Sequence, residues 1–373
     1  MWTTVGLNSV SLPASELRIS PGVQKMLVKL KRLKDILLLL PNAFRGGPIW
    51  SFVTVTRKCF QFCDHCYEWD NNVPHMSAET HRGVIDKLCE LGVSGVSYYG
   101  GEPTLHPELP DFIRYAKSRR RQTYINTDLT ACSNEKLKAV VDAGIDFISF
   151  SIDKVEPVKR NKRAITSLHD KLIMSKELQR QGYSFALEAS LTLHKGNLSE
   201  GQAVIQYILD LGRIGLTLRP ALFPIPYGDV KARTAALLTK EDIPEIERLM
   251  AWTARKKKEG HPILVSYEYM RDFGKFLAGG HRWDCGAQRD ILFVEWDGSL
   301  SNCSFFIKKE TPKPFIPLDM TFEDLGPGHW QKVKPIVDHN LSHCNERCYT
   351  SAYHITAYYR HHPWEALWNY FKI

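Results

Sequence analysis

The sequence predicts an α/β fold: a partial (β/α)6 barrel of parallel strands, preceded by a helical extension and followed by a smaller C-terminal domain. Two observations carry this. Between residues 51 and 259 six β-rich runs alternate with six runs of helical periodicity, and a serial β-α repeat buries its strands in a parallel sheet. Near residue 260 the alternation stops and the composition shifts, which sets the regions 1–48, 49–260 and 261–373.

The elements follow in order. In the first region Val23, Met26, Leu27, Leu30, Leu33, Leu37 and Leu40 recur at helical spacing, with Lys25, Lys29, Lys31, Arg32 and Lys34 largely elsewhere. That reads as a basic amphipathic helix ended by Pro41 and Asn42. It is expected to pack on the body of the protein, with an anionic membrane surface as the alternative. Residues 51–56 form a strand. Residues 75–92 form a helix, with Ser77 as N-cap and Gly92 as stop. Further strand–helix pairs fall at 95–99 and 107–119, 123–127 and 133–144, and 147–152 and 164–182. Two more follow, at 185–193 and 199–211, then 216–223 and 240–259. The last region holds a β-like stretch at 291–296, a turn at Asp297-Gly298, a proline-rich passage and an aromatic tail. That tail, from Tyr349 to Trp368, is expected to be a packed amphipathic helix.

Composition narrows the functional classes. The 373 residues are 43% hydrophobic and 24% charged, an ordinary globular balance that excludes wholesale disorder. The longest aliphatic run, residues 36–40, is far short of the roughly 20 a membrane span needs. No secretion signal opens the chain, so a cytoplasmic location is expected. The net charge of +8 suits an acidic redox partner, an anionic substrate or a membrane surface. The basic runs at 117–121 and 255–258 lie at helix C-termini, where cations complement the helix dipole. No aromatic-interleaved basic stripe or RNA-binding module is visible, so a nucleic-acid partner is not expected.

Nine cysteines carry the chemistry. An odd number in a chain without a secretion signal argues for metal or redox work over disulfides. Cys59, Cys63 and Cys66 occupy the loop after the first strand in the order C-x3-C-x2-C. Three thiolates can hold three irons of a cubic cluster and leave the fourth open, while zinc completed by His65 or His75 fits the spacing equally well. Cys89 and Cys132 stand alone and are given no role.

The surroundings of that loop resemble the radical S-adenosylmethionine (radical SAM) superfamily. The second strand ends in Tyr99-Gly100-Gly101-Glu102-Pro103, like the family's GGEP motif. The third ends in Asn126-Thr127-Asp128, the fourth in Ser149-Phe150-Ser151-Ile152-Asp153, and Asn197 follows the fifth. The resemblance covers about residues 50–225. It implies a partial TIM-like barrel and a [4Fe–4S] cluster on the three cysteines, its open iron chelated by the methionine part of SAM. Reductive cleavage would then give a 5′-deoxyadenosyl radical that takes hydrogen from substrate. It further implies that Gly100 and Gly101 permit close backbone approach, and that Glu102 accepts from the methionine ammonium. Asn126, Ser149, Ser151 and Asp153 would line the SAM site, and Arg163, with Arg160 competing, would pair with the SAM carboxylate. Glu188 and Ser190 are candidate ribose or substrate contacts, and Leu222 and Phe223 candidates for the adenine floor. His65 stands where the family commonly has an aromatic residue and is expected to be a spacer.

Cys285, Cys303, Cys344 and Cys348 form a second set, with a Gly298-x4-Cys303 stretch that resembles the SPASM and twitch extensions of radical SAM enzymes. Four cysteines suffice for one fully ligated auxiliary [4Fe–4S] cluster, which implies a small iron–sulfur domain of twitch/SPASM-like type. A structural zinc is the alternative. The expected activity is hydrogen abstraction from a small metabolite, assisted by the second cluster and by an electron donor such as flavodoxin or ferredoxin. A peptide-modifying maturase is the first alternative, set back because 48 residues are too few for the leader-binding domain that class often carries. A non-enzymatic zinc or iron–sulfur sensor is the second.

Overall fold

The computed structural model describes residues 48–372 except 62, 64, 67, 160, 222–235, 304–314 and 345–347. The helix expected at 23–40, Arg160, Leu222 and Phe223 lie outside the described residues. Seven parallel strands form one curled half-barrel: β1 (Trp50–Thr56), β2 (Gly95–Gly100), β3 (Gln122–Thr127), β4 (Phe147–Ser151), β5 (Ala186–Leu193), β6 (Gly215–Pro220) and β7 (Ile291–Val294). Their order is β6-β5-β4-β3-β2-β1-β7.

The six expected strands are all present. The seventh was not expected in this sheet: β7 comes from the C-terminal region and pairs with β1 in the register Trp50↔Ile291 through Val53↔Val294. Its four residues are wholly buried and apolar, so the run had to find a sheet edge, and β1 offers one. The Asp297-Gly298 turn then brings Leu300 back against Val294.

The helices on the outer face are α1 (Ala78–Glu90), α2 (Leu109–Ser118), α3 (Asn134–Asp142), α4 (Ile165–Arg180), α5 (Gly201–Leu211) and α6 (Ile243–Lys258). Ser77 caps α1 by accepting from the Thr80 amide at 3.0 Å, and Ser133 caps α3 by accepting from the Lys136 amide at 3.1 Å. Val84, Ile85 and Leu88 of α1 are fully buried in one core with Val53, Val96, Ile125, Ile148 and Leu187 of the strands. Each such side chain contributes about 2 kcal/mol relative to exposure.

The inner face is different. Trp50, Phe52, Tyr124, Asn126, Glu188 and Ser190 alternate with fully covered neighbours and remain half-buried, so the curled sheet encloses a partly polar lumen. The C-terminal helices are α7 (Tyr267–Ala278), α8 (His329–Cys344), α9 (Ser351–His361) and α10 (Pro363–Lys372). Helix α9 spans the two edges of the sheet. Tyr353 packs on Phe293 of β7 at 5.2 Å and on Phe52 of β1 at 6.4 Å, and the Tyr359 hydroxyl donates to the Leu264 carbonyl beside β6 at 2.9 Å. Arg360 pairs with the buried Asp290, whose carbonyl accepts from the Ile49 amide at 2.9 Å.

Candidate active site and metal centres

The first cysteine loop is fastened at its stem. Strand β1 shifts register between Thr54 and Thr56, and the end of β2 passes beneath the chain that follows. The Gly101 amide donates to the Thr56 carbonyl at 2.9 Å, and the Glu102 amide to that of Lys58 at 2.8 Å. A methyl group at Gly100, whose φ is +134°, would lie 1.9 Å from the Thr56 oxygen. The close approach these glycines permit is therefore between two stretches of the protein's own backbone. Farther along, the Cys59 amide donates to Asn71 Oδ1 at 2.9 Å. Gln61 donates to Thr130 Oγ1 at 2.6 Å and accepts from the Lys162 amide at 3.0 Å.

This fastening gathers Cys59, Cys63 and Cys66 near enough to feel one another's charge. Burial pushes Cys59 and Cys63 up to about 12 and raises Cys66 as well, while the Arg163 guanidinium opposes the rise in each. Arg163 reaches Asp153 Oδ2 at 3.7 Å and His65 Nε2 at 3.5 Å, and its buried Nε has no hydrogen-bond partner among the described residues. Asp153 is fully buried and accepts from Asn161 Nδ2 and the Thr192 amide, both at 3.2 Å. It thereby positions the arginine. Burial drives His65 down to about 3, so the ring is neutral, and it lies 5.1 Å from the ring of His194. Asn197 donates to the carbonyls of Asp153 and Thr192, tying the ends of β4 and β5.

Glu102 turns into the protein. Its carboxylate accepts from the Thr104 amide (3.0 Å) and hydroxyl (2.6 Å), the Thr127 hydroxyl (2.7 Å) and the Asp128 amide (2.7 Å), which pins the end of β2 to the end of β3. Pro103 opens the short 3-10 turn that Glu102 caps. Burial, then the charge of Asp128, raises Glu102 to about 7. Asn126 donates to Ser97 Oγ at 2.7 Å. Glu188 faces the lumen on β5, accepting from Thr217 Oγ1 at 3.0 Å and from Ser149 Oγ at 3.5 Å, and burial raises its carboxyl. Ser151 and Ser190 are register partners one step nearer the cysteine loop.

Sequence reasoning missed several members. Tyr124 and Thr217 complete the surroundings of Glu188. Arg57, two residues before Cys59, is 3% exposed and pairs with Glu295 just after β7 at 3.4 Å. A charged residue directly beside each of two apolar strands was the available signal.

The second set also converges. Cys285 lies before β7, Cys303 after the hairpin, Cys344 at the end of α8 and Cys348 ahead of α9. Together they line a cavity of about 40 Å³ with Trp283, Ala287, Asn302, Val337, Asn340, Leu341 and Tyr353. Burial raises Cys285 to about 12 and Cys348 well above its usual value, and Cys348 feels the charge of the other three. Among the described residues no group of three or more His, Cys, Asp or Glu is gathered as a single-ion site. The lining supplies four sulfurs and no carboxylate or imidazole, a donor set that fits an iron–sulfur cluster. At the first loop three thiols stand beside a buried cation with a spare donor, which fits a cluster carrying an anionic ligand.

Residues 53–193 match the family model described as the Radical SAM superfamily. The chain is 26% identical over 281 residues to the PqqA peptide cyclase of Bradyrhizobium diazoefficiens, covering 69% of this chain and 72% of that protein. It is 24% identical over 182 residues to the Fe-coproporphyrin III synthase of Methanosarcina barkeri, covering 48% of this chain. That match spans 44% of the synthase, less than half its length. Among solved structures, anSMEcpe with bound AdoMet and Cp18Cys peptide shares the fold over 87% of this chain and 100% of that one, at a TM-score of 0.57 and 15% identity.

Proposed function

We propose that this chain, which carries a radical SAM domain over residues 53–193, is a peptide-modifying radical SAM enzyme with an auxiliary iron–sulfur cluster. The observation that carries the peptide reading is the 281-residue similarity to a PqqA peptide cyclase, which covers 69% of the chain and so continues well beyond the radical SAM domain. It favours a peptide over the small metabolite expected from the sequence.

In this reading Cys59, Cys63 and Cys66 hold the [4Fe–4S] cluster, and Arg163, oriented by Asp153, holds the carboxylate of SAM. Cluster and SAM together supply hydrogen-atom abstraction from an unactivated C–H bond. Gly100 and Gly101 set the height of the cysteine loop above the sheet. Glu102 braces β2 against β3, leaving the methionine ammonium to the carbonyls of this turn. Ser149, Ser151, Ser190 and Asn126 face ribose and methionine, and Glu188 sits deeper, where substrate enters the lumen. Cys285, Cys303, Cys344 and Cys348, which line one cavity, would hold the second cluster, and that cluster would supply electron transfer.

The test is anaerobic reconstitution followed by iron and sulfide analysis and EPR with and without SAM. About eight irons per chain and a spectrum perturbed by SAM are expected. Zinc at both sites with no response to SAM would overturn the reading. The substrate class is tested by 5′-deoxyadenosine release with a peptide fraction of cell extract, the same fraction after protease digestion, and a fraction of free small molecules. Stimulation that protease abolishes is expected, and stimulation by the small-molecule fraction alone would restore the metabolite. Cys303→Ala should keep SAM cleavage and lose turnover; normal turnover would remove the redox role of the second cluster.

A further inference from the structure

Helix α10 presents an outer stripe that the proposed chemistry does not use. Trp364 is 80% exposed and Trp368 64% exposed, and Lys372 follows at the same four-residue spacing with its ammonium 5.5 Å from the Trp368 ring. The adjoining face is held: Asn369 is buried and donates to the Tyr359 hydroxyl at 2.6 Å, and Glu365 accepts from the Tyr358 hydroxyl at 2.8 Å. The two exposed indoles therefore sit on a helix that is anchored along the neighbouring face.

The same corner of the molecule is basic. The last turn of α6 carries Arg255, Lys256, Lys257 and Lys258. Lys257 bonds Glu365 of α10 at 3.1 Å and feels the charge of Lys372, so the end of α6 and the end of α10 are neighbours. Tyr267, 47% exposed, lies beneath Lys257 at 5.3 Å. The nearby acids Glu365 and Glu259 are each taken by a lysine, while Glu268 is exposed on α7. The patch stays net positive.

We propose that this aromatic and basic corner docks on an anionic lipid surface. Indole is apolar in its body and polar at its N–H, which favours the level of the lipid headgroups. Basic residues beside an anionic leaflet add electrostatic attraction. Stable attachment needs more than one such signal, and the sequence offers a second basic amphipathic stretch at 23–40.

The experiment is co-sedimentation of the full chain with vesicles of phosphatidylcholine containing one quarter phosphatidylglycerol, and with vesicles of phosphatidylcholine alone. Binding to the first and not the second is expected. The Trp364→Ala/Trp368→Ala double variant should bind about tenfold less, because the inserted apolar area is gone. The Trp364→Phe/Trp368→Phe variant should keep most of the binding. Both substitutions are at exposed positions, so an unchanged melting temperature will show that the fold is intact. The proposal is overturned if the parent chain ignores both vesicles, as it would if this corner bound an acidic protein or were covered by residues 1–47. It is equally overturned if the double alanine variant binds like the parent, which would give the contact to the 23–40 stretch alone.

Discussion

A methyl group at position 101 would sit 2.3 Å from the carbonyl oxygen of Lys58 and 2.5 Å from that of Arg57, both in the stem of the loop that carries Cys59. Backbone oxygens cannot swing aside as a flexible side chain can, so Gly101→Ala should lift the loop as a whole. The expected outcome is a folded protein destabilised by about 1–3 kcal/mol that loses the iron of the first site while keeping that of the second. Iron analysis and thermal melting check it, and full iron occupancy would show that the loop yields without consequence. At this scale the sequence was informative where residues adjacent in the chain act together, as in Cys59-x3-Cys63-x2-Cys66 and Gly100-Gly101. It misled where a side chain's partner was unseen. Glu102 stands in the right motif, yet its oxygens accept from Thr104, Thr127 and Asp128. Arg57 and Glu295, 238 positions apart, gave no sign of each other.

The aromatic tail behaves as three elements where one helix was expected. Its first residue, Tyr349, lies in a loop and forms a reciprocal pair with Tyr269 of α7. The rings stack at 4.4 Å and each hydroxyl donates to the other's backbone carbonyl, at 2.9 and 3.0 Å. Phe273, Phe276, His281, Trp283 and His354 surround Tyr349, and Trp283 Nε1 donates to the Cys348 carbonyl at 2.6 Å. The position of Cys348 is thus inherited from this stack. Tyr349→Phe removes one hydrogen bond at a cost of about 1 kcal/mol and keeps the ring. It should lower the melting temperature slightly and leave the second site's iron in place, whereas Tyr349→Ala should release that iron. If Tyr349→Ala kept its iron, the loop would be held by the cysteines alone. The single helix expected over the tail covers α9 and α10 without the break between them at His362. The role of α9 across the sheet edges was not legible, because it depends on β7 lying beside β1.

Stability of the whole molecule should fall on the acid side through its buried imidazoles. His81 stacks on Phe112 at 3.9 Å, and its Nε2–H donates to the Tyr98 hydroxyl at 3.0 Å, since that hydroxyl itself donates to the Phe112 carbonyl. Burial, with the charges of His106 and Arg82, drives His81 down to about 3 from 6.5. Below pH 6.5 the unfolded chain takes up a proton that the folded chain refuses, so this contribution is complete above pH 6.5 and is lost as pH falls toward 3. The slope from this residue is at most about 1.4 kcal/mol per pH unit, and His81→Phe should remove it from the pH dependence of denaturant unfolding. An unchanged slope would mean that His81 is protonated in the folded state. The fold class and the ends of the first five strands could be read from the β-α alternation, while the sixth, expected over 216–223, ends at Pro220. The stretch at 291–296 reads as β, but its place beside β1 was not legible, because four apolar residues carry no mark of the edge they will join. That edge sets an order of events during synthesis. Strand β1 is made before its partner β7, and 238 positions separate Arg57 from Glu295 at their ends, so one side of the sheet must wait unpaired. A contact spanning so much sequence is slow to close. The cysteine loop that springs from β1 reaches its final setting, with Arg57 against Glu295, only once β7 has been made and paired. Metal loading at that loop is thereby tied to the arrival of β7, a strand far outside the loop itself.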